Sequence, residues 1–433
     1  MNKFEQPNKT TKSKDGVDFI SNMPDSILLL ILSFLFFTEE VIQTSILSRR
    51  WRYLWTSIPS LDLFSRFHRE DKLKTDEFKD FVFWVLANRS SDLYRFSLDC
   101  YDYYSMSTVR RWIHMAVTRN VKQLQLTFYP EDENEDVELP HCLVTCCSLE
   151  ALMLDLNYRG LKLPNIIGFP GLKDLYLAYI DLRDGNVVKG FLESCPSLEY
   201  LGLLDCMLCK LDLLCISSPK LKKLSILNVA LMDDGQSGGV KICCPKLVDL
   251  ELRGLIANNF LFECLDSLNK AGIEPKLTGN IKSVLFPGIS HVEYLWIDLY
   301  FFSQVIHREK YDTWRCLKCI NVACNPALPN LKTLALITAV DAFTMDELIR
   351  ILKYYPKLES LKLIVKEEFD GPEERELHEG DARKMMTQDV KKVEFFEFKG
   401  EKPKLVLDWH EVTIMEMVFS WGTKGKYFSY NRL

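Results

Sequence analysis

One pattern constrains this chain more than any other: L-x-x-L-x-L returns along most of its length. Copies stand at Leu149/Leu152/Leu154, Leu172/Leu175/Leu177, Leu198/Leu201/Leu203 and Leu221/Leu224/Ile226. Others follow at Leu247/Leu250/Leu252, Val292/Leu295/Ile297, Leu331/Leu334/Leu336 and Leu358/Leu361/Leu363. Two weaker copies come first, at Leu93/Phe96/Leu98 and Val121/Leu124/Leu126. From Leu149 to Leu247 successive copies begin 23, 26, 23 and 26 residues apart. A fixed period of that size marks a stacked array. In L-x-L the two apolar residues lie two apart and point to one face of a short strand. A single copy cannot bury that face, whereas stacked copies bury it as one continuous core of parallel strands. The intervals 247 to 292 and 292 to 331 are longer and predict insertions or degenerate copies.

Proline stands two residues before the first leucine in six copies, at Pro170, Pro196, Pro219, Pro245, Pro329 and Pro356. There it ends the preceding helix and favours an extended approach to the strand. Thr344 with Glu347 makes a capping box, opening a helix with Leu348, Leu352 and Tyr355 on one face. Strand and helix alternating in this way predict an α/β solenoid, with parallel strands on the concave face and helices or loops on the convex one. The period lies in the range of leucine-rich repeats, and residues 64–366 would hold roughly eight to ten units. Side chains flanking the leucines would face solvent on the concave sheet, among them Tyr176, Tyr200, Glu251, Arg253, Tyr294 and Trp296. Tyr, Trp and Arg on an open face suit a substrate-binding patch. The plainer reading, β-propensity residues on a solvated strand, stays open for each position.

Ahead of the array, residues 1–16 are polar and expected to be disordered. From Val17 the composition changes, and residues 17–63 read as three short helices. Pro24 suits a first helical turn, and Ile27, Leu28, Ile31, Leu32 and Leu35 then form an apolar stripe. Thr38 is the expected N-cap of the second helix and Ser48 that of the third, which carries Trp51, Leu54 and Trp55 before Pro59. About 45 residues are too few to expect independent stability, so the surplus of large apolar groups suggests a partner surface. The run Ile27 to Phe37 is eleven residues, short of the ~20 that a membrane-spanning helix needs.

Charge and composition narrow the function classes. With 54 basic against 60 acidic side chains, a net charge of −6 argues against a dedicated nucleic-acid binder. No apolar leader stands at the N-terminus, so an intracellular protein, cytoplasmic or nuclear, with reduced thiols is expected. Cys206-x-x-Cys209 and Cys316-x-x-Cys319, with Cys324 nearby, lack the matched second pair of a zinc site. Cys147, Cys195 and Cys244 precede repeat leucines as small buried residues of the coil. Gly235-Gln236-Ser237-Gly238-Gly239 satisfies G-x-S-x-G, but without the strand and helix of a nucleophile elbow it reads as a loop. EDENED (131–136) lacks the glycine of a calcium loop. No catalytic constellation, metal site or cofactor motif is found, and a non-enzymatic adaptor is expected.

The helical words are Met23-Pro24-Asp25, Ile31-Leu32-Ser33-Phe34-Leu35, Thr44-Ser45-Ile46-Leu47-Ser48-Arg49-Arg50-Trp51-Arg52 and Leu54-Trp55. They resemble the F-box, and with the repeats the chain resembles plant F-box proteins of the F-box/leucine-rich-repeat/FBD group. LFPGISHVEYLWI (285–297) and ALPNLKTLAL (327–336) are similar to recurrent segments of that group, and KKVEFFEFKG (391–400) resembles the start of its FBD region. Within 367–433, an acidic loop precedes this divergent FBD-like segment. The resemblance implies a substrate-recognition subunit of a Skp1–cullin–F-box ubiquitin ligase. The F-box would dock on a Skp1-like adaptor and through it a cullin, while the repeats capture an unnamed target protein. Carried onto this sequence, the docking residues would be Met23, Pro24, Ile31, Leu32, Leu35 and Trp51. The alternative is a leucine-rich-repeat scaffold or signalling receptor outside any ligase.

Overall fold

The structure, a computed structural model, describes residues 20, 23–35, 37–64, 72–130, 136–164, 168–182, 186–208, 212–228, 238–254, 259–275, 286–299, 302, 328–338, 348, 351, 355, 357–365, 392–397 and 405–408. By compactness it divides into two units, Met1–Ser267 with Lys276–Ile281, and Leu268–Pro275 with Lys282–Leu433.

The first unit opens with helices α1 (Asp25–Leu32), α2 (Thr38–Gln43) and α3 (Trp51–Leu54), which run straight into strand β1 (Ser60–Phe64). Helix α4 (Lys72–Ala87) follows, then strand β2 (Arg95–Tyr104), helix α5 (Met106–Val117) and strands β3 (Gln123–Pro130) and β4 (Val137–Glu138). Helix α6 (His141–Val144), strands β5 (Ala151–Lys162) and β6 (Asp174–Asp181), helix α7 (Asn186–Ser194) and strand β7 (Tyr200–Leu204) come next. The unit ends with strands β8 (Leu213–Ser217), β9 (Lys223–Asn228), β10 (Gly239–Cys243), β11 (Asp249–Gly254) and β12 (Asn259–Glu263). One parallel sheet runs β1-β2-β3-β5-β6-β7-β9-β11.

Register explains the leucines. Leu61, Phe96, Leu124, Leu152, Leu175, Leu201, Leu224 and Leu250 stand opposite one another in one row. Each is buried, as are the residues two positions further on. The weaker copies at 93 and 121 therefore belong to the array. So does one the sequence reading passed over, Ile58/Leu61/Leu63, whose strand β1 is shared with the helical head. An array needs its terminal apolar face covered, and the head does this for β1.

The prolines also shape the turn that leads into each strand. Leu172, Leu198 and Leu247 donate their N–H to the carbonyls of Phe169, Cys195 and Cys244, at 3.4, 3.1 and 3.0 Å. Pro170, Pro196 and Pro245 thus hold the second position of a four-residue turn, where their fixed φ belongs. The residue three before each leucine packs inward, which corrects one cysteine. Cys146, not Cys147, is the buried residue at that position, as Cys195 and Cys244 are in their own coils, and Cys147 is exposed.

The other face of this unit changes character along the chain. Helix α5 turns Val109, Trp112, Ile113 and Ala116 inward, and α7 turns Val187, Val188 and Phe191 inward, both at helical spacing. Later coils carry alternating segments instead, and β8, β10 and β12 form a separate three-stranded parallel sheet.

In the second unit, strands β13 (Lys270–Pro275), β14 (Tyr294–Asp298), β15 (Thr333–Thr338), β16 (Ser360–Val365) and β17 (Lys392–Glu397) are parallel in that order, and β18 (Leu405–Asp408) returns antiparallel on β17. Strand β13 supplies a degenerate copy, Leu268/Ala271/Ile273, in the long interval after 247; all three residues are buried. Strand β17 continues the repeat register past residue 366, with Val393 opposite Leu361. The capping box expected at Thr344 and Glu347 lies outside the described residues.

Candidate functional site

Two surfaces carry the candidate residues. The first is the helical head. Leu28 and Leu32 of α1 turn inward with Val41, Trp51, Leu54 and Trp55, and all six are buried. Helix α1 is apolar on every side from Ile27 to Leu32, and its other stripe is exposed to solvent. Leu30 is 54% exposed and Phe34 68%, and the turn after α2 leaves Ile46 88% and Leu47 64% exposed. Ile27, Ile31, Leu35 and Tyr53 are also exposed.

Of the residues expected to dock, Ile31, Leu35 and Pro24 are on the open side and Met23 is half-buried. Leu32 and Trp51 are not on it: at 0% and 6% exposure they hold the helices together, and reaching a partner would require the head to open. Caps shifted slightly too. Phe37 precedes α2, and the Thr38 hydroxyl instead accepts the Asp62 N–H at 2.9 Å, tying α2 to β1. Arg50 precedes α3, and the Ser48 hydroxyl accepts the Trp51 N–H at 3.4 Å from two residues further back.

The head is fastened to the first coil. Trp55 stacks on Trp84 of α4 with ring centroids 5.0 Å apart. The buried Arg89 guanidinium donates to the Trp55 carbonyl at 3.2 Å and to the Ile58 carbonyl. Burial and the nearby Arg119 lower its pKa to about 10, which leaves it charged at neutral pH. These bonds satisfy two carbonyls at the end of the helical segment that water cannot reach.

The second surface is the open face of the parallel sheet of the first unit, where the side chains between the repeat leucines lie. Met153, Tyr176, Gly202, Ser225 and Glu251 stand in one register row. Tyr200 lies in the row before and Arg253 in the row after. The sheet thus brings four of the expected residues together. The Tyr176 and Tyr200 rings meet at 4.4 Å, Ser225 donates to Glu251 at 3.0 Å, and Glu251 pairs with Arg253 at 2.6 Å. The Tyr176 and Tyr200 hydroxyls are hydrogen-bonded to each other, and Tyr200 also bonds Ser225. Burial pushes the Tyr200 pKa up to about 12 and raises that of Tyr176 as well, so both phenols are neutral donors. All four residues are half-buried. Tyr294 and Trp296, also half-buried, lie on β14 of the second unit, Trp296 between Gly272 and Ala335 in its row.

Gly202 was not singled out from sequence, yet it makes the tyrosine pair fit. A Cβ there would sit 2.8 Å from Tyr176 Cδ1 and 3.0 Å from Tyr200 Cε1. Also missed was a charge ladder at the residue after the first repeat position in five consecutive copies, Lys122, Glu150, Lys173, Glu199 and Lys222. Lys122 and Glu150 meet at 3.2 Å, Lys173 and Glu150 at 3.0 Å, and Lys222 and Glu199 at 2.9 Å. The alternation of Lys and Glu at that position was visible in the repeat alignment.

No group of three or more His, Cys, Asp or Glu side chains converges among the described residues. Cys206 is a coil residue: its thiol donates to the Leu177 carbonyl at 3.3 Å, and Asn228 holds its backbone through both amide atoms. Cys209, Cys316, Cys319, Cys324, Ser237 and residues 131–135 lie outside the described residues. Among the described residues, no helix is long and apolar enough to cross a membrane.

Comparison with known proteins finds matches to the helical head and to part of the repeats. Residues 20–63 match the family model of the F-box domain, and residues 109–237 match that of the LRR repeats of FBD-associated F-box protein At5g56370. Among Arabidopsis thaliana proteins, the chain is 32% identical to F-box/FBD/LRR-repeat protein At1g78750 over 61% of its own length and 58% of that protein's. It is 32% identical to F-box/LRR-repeat protein 13 over 66% of its own length and 62% of the relative. With F-box/LRR-repeat protein At4g14103 it shares 33% identity over 60% and 68% of the two lengths. The matched region thus spans about three fifths of At1g78750 and of F-box/LRR-repeat protein 13.

Proposed function

The chain belongs to the F-box/LRR-repeat family, and we propose that it is the substrate-recognition subunit of a Skp1–cullin–F-box ubiquitin ligase. The head docks on a Skp1-like adaptor, which carries the cullin, and the open face of the sheet holds the target. The observation that supports this most is the division of the head's apolar residues. One set closes its core, while Leu30, Phe34, Ile46 and Leu47 stay open to solvent. Patches of that kind on a folded surface mark partner sites, and a helix face laid into an apolar groove is a recurring mode. Pro24, Ile31 and Leu35 join the docking face, with Met23 at its margin; Leu32 and Trp51 support it from beneath. On the sheet, Tyr176, Tyr200, Glu251 and Arg253 present donors, acceptors and ring faces to a target, and Tyr294 and Trp296 do so in the second unit. The chain supplies proximity rather than chemistry, holding target lysines near the ubiquitin carrier.

Co-expression with a Skp1-like adaptor tests the reading. The intact chain is expected to co-purify with it, and a Phe34→Ser, Leu47→Ser variant to lose it while keeping its circular-dichroism spectrum. Unchanged capture by that variant refutes the surface assignment. Failure of the intact chain to capture the adaptor favours the scaffold reading.

A further inference from the structure

The three-stranded sheet β8-β10-β12 carries chemistry that neither surface above uses. Its strands are parallel, with Cys215 opposite Lys241 and Cys243 opposite Glu263. Cys264 follows at once, in a left-handed conformation with φ 51°. That backbone is unusual for a residue with a β-carbon and marks a constrained position. Without it, a residue one beyond Glu263 would point to the opposite face of the sheet from Cys243. With it, the Cys264 thiol reaches Cys243 and hydrogen-bonds it. Parallel strands about 4.8 Å apart, with about 3.3 Å per residue, separate Cα atoms one residue out of register by about 6 Å. Disulfides accept that spacing.

Both thiols are reachable, since Cys264 is exposed and Cys243 half-buried. Lys241, two residues before Cys243 and on the same face, brings its ammonium near both Cys243 and Cys215 while pairing with Glu263 at 2.9 Å. Cys264 keeps its proton through its hydrogen bond to Cys243, with Asp266 and Glu263 nearby. Cys243, beside the Lys241 ammonium, is placed as the nucleophile and Cys264 as the resolving thiol. Cys244, next in sequence, faces inward and donates to the Ile216 carbonyl at 3.7 Å, outside this pair.

We propose that Cys243 and Cys264 form a peroxide-oxidisable dithiol that staples two adjacent coils of the solenoid. The Cys243 thiolate attacks one oxygen of hydrogen peroxide, the O–O bond breaks, and Cys243 becomes a sulfenic acid with release of hydroxide, which takes up a proton to become water. The Cys264 sulfur then attacks the Cys243 sulfur; the S–O bond breaks, and the departing hydroxide takes the Cys264 proton. Two thiols and one peroxide yield one disulfide and two waters. The bond joins the end of β10 to the residue after β12, so it links neighbouring coils outside the sheet of repeat leucines.

The full-length protein treated with hydrogen peroxide, alkylated, and digested with trypsin without reduction tests this. The expected product joins peptide 242–246 to peptide 254–270, and it forms in Cys244→Ala but not in Cys243→Ser. In Cys264→Ser, Cys243 should instead be trapped by dimedone. The proposal is overturned if Cys243 and Cys264 stay alkylatable while the exposed Cys147 or Cys215 oxidises. It is equally overturned if the bridge survives Cys243→Ser, or if Cys264→Ser yields no dimedone adduct at Cys243.

Discussion

Replacing Asp155 with Asn should make the protein more stable, and increasingly so as the pH rises. Asp155 lies on β5 with 6% of its surface exposed. Its carboxylate accepts the Asn157 N–H at 3.2 Å, but that one bond is outweighed. Burial first, and then Asp99, which shares a register row with Asp155 across Thr127, raise its pKa to about 7 from the ordinary 3.8. The folded state therefore keeps a proton that the unfolded chain releases between about pH 4 and 7, and stability falls as pH rises through that window. At about 1.4 kcal/mol per pH unit, two units between pH 5 and 7 amount to about 3 kcal/mol. Asn keeps an oxygen for the Asn157 N–H and never ionises. In urea denaturation followed by tryptophan fluorescence, the advantage of Asp155→Asn over wild type should grow by about that amount from pH 5 to pH 8. Other titrating groups are common to both proteins and cancel, apart from Asp99, which the Asp155 charge affects in turn. An advantage equal at the two pH values, or a wild type that gains on the variant at pH 8, refutes the assignment of a buried, uncompensated carboxylate.

Three further outcomes separate core from surface. Leu32→Ala should cost about 2–5 kcal/mol by opening a cavity in the head, whereas Phe34→Ser should stay within about 0.5 kcal/mol; thermal unfolding by circular dichroism compares them. Gly202→Ala should displace the Tyr176–Tyr200 pair and cost about 1–3 kcal/mol, with changed ring-proton shifts in NMR as its signature. Glu150→Gln should cost under about 1 kcal/mol, because its pairs with Lys122 and Lys173 are exposed. Those lysines lower the Glu150 pKa, so the wild-type advantage is present at neutral pH. It disappears as pH falls below the ordinary glutamate range, and high salt weakens it.

Periodicity made the sheet legible because burial forces a leucine every second residue of each strand and every strand repeats the demand. It faltered where a smaller residue met that demand, as with Ala271 in β13, and where Pro59 read as a helix stop concealed Ile58/Leu61/Leu63. The head was legible as three helices but not as an inside and an outside. Since α1 is apolar around its whole circumference, spacing alone could not say that Leu28 and Leu32 face in while Leu30 and Phe34 face out. The residues between the leucines were predictable as a face, because alternation fixes them. Their network was not, since the Tyr176–Tyr200 contact depends on Gly202, one strand over and absent from the motif.

Strand β1 is both the tail of the helical head and the outermost rung of the parallel sheet, so the molecule has a weld where a tether could have stood. A tethered module sweeps through many orientations, and cargo on it can offer almost any lysine in turn. A welded one presents cargo on the neighbouring coils at a single bearing from whatever grips the helices. In the ligase reading, the choice among a target's lysines is then written partly into this joint, and lengthening it should broaden that choice without changing what is bound.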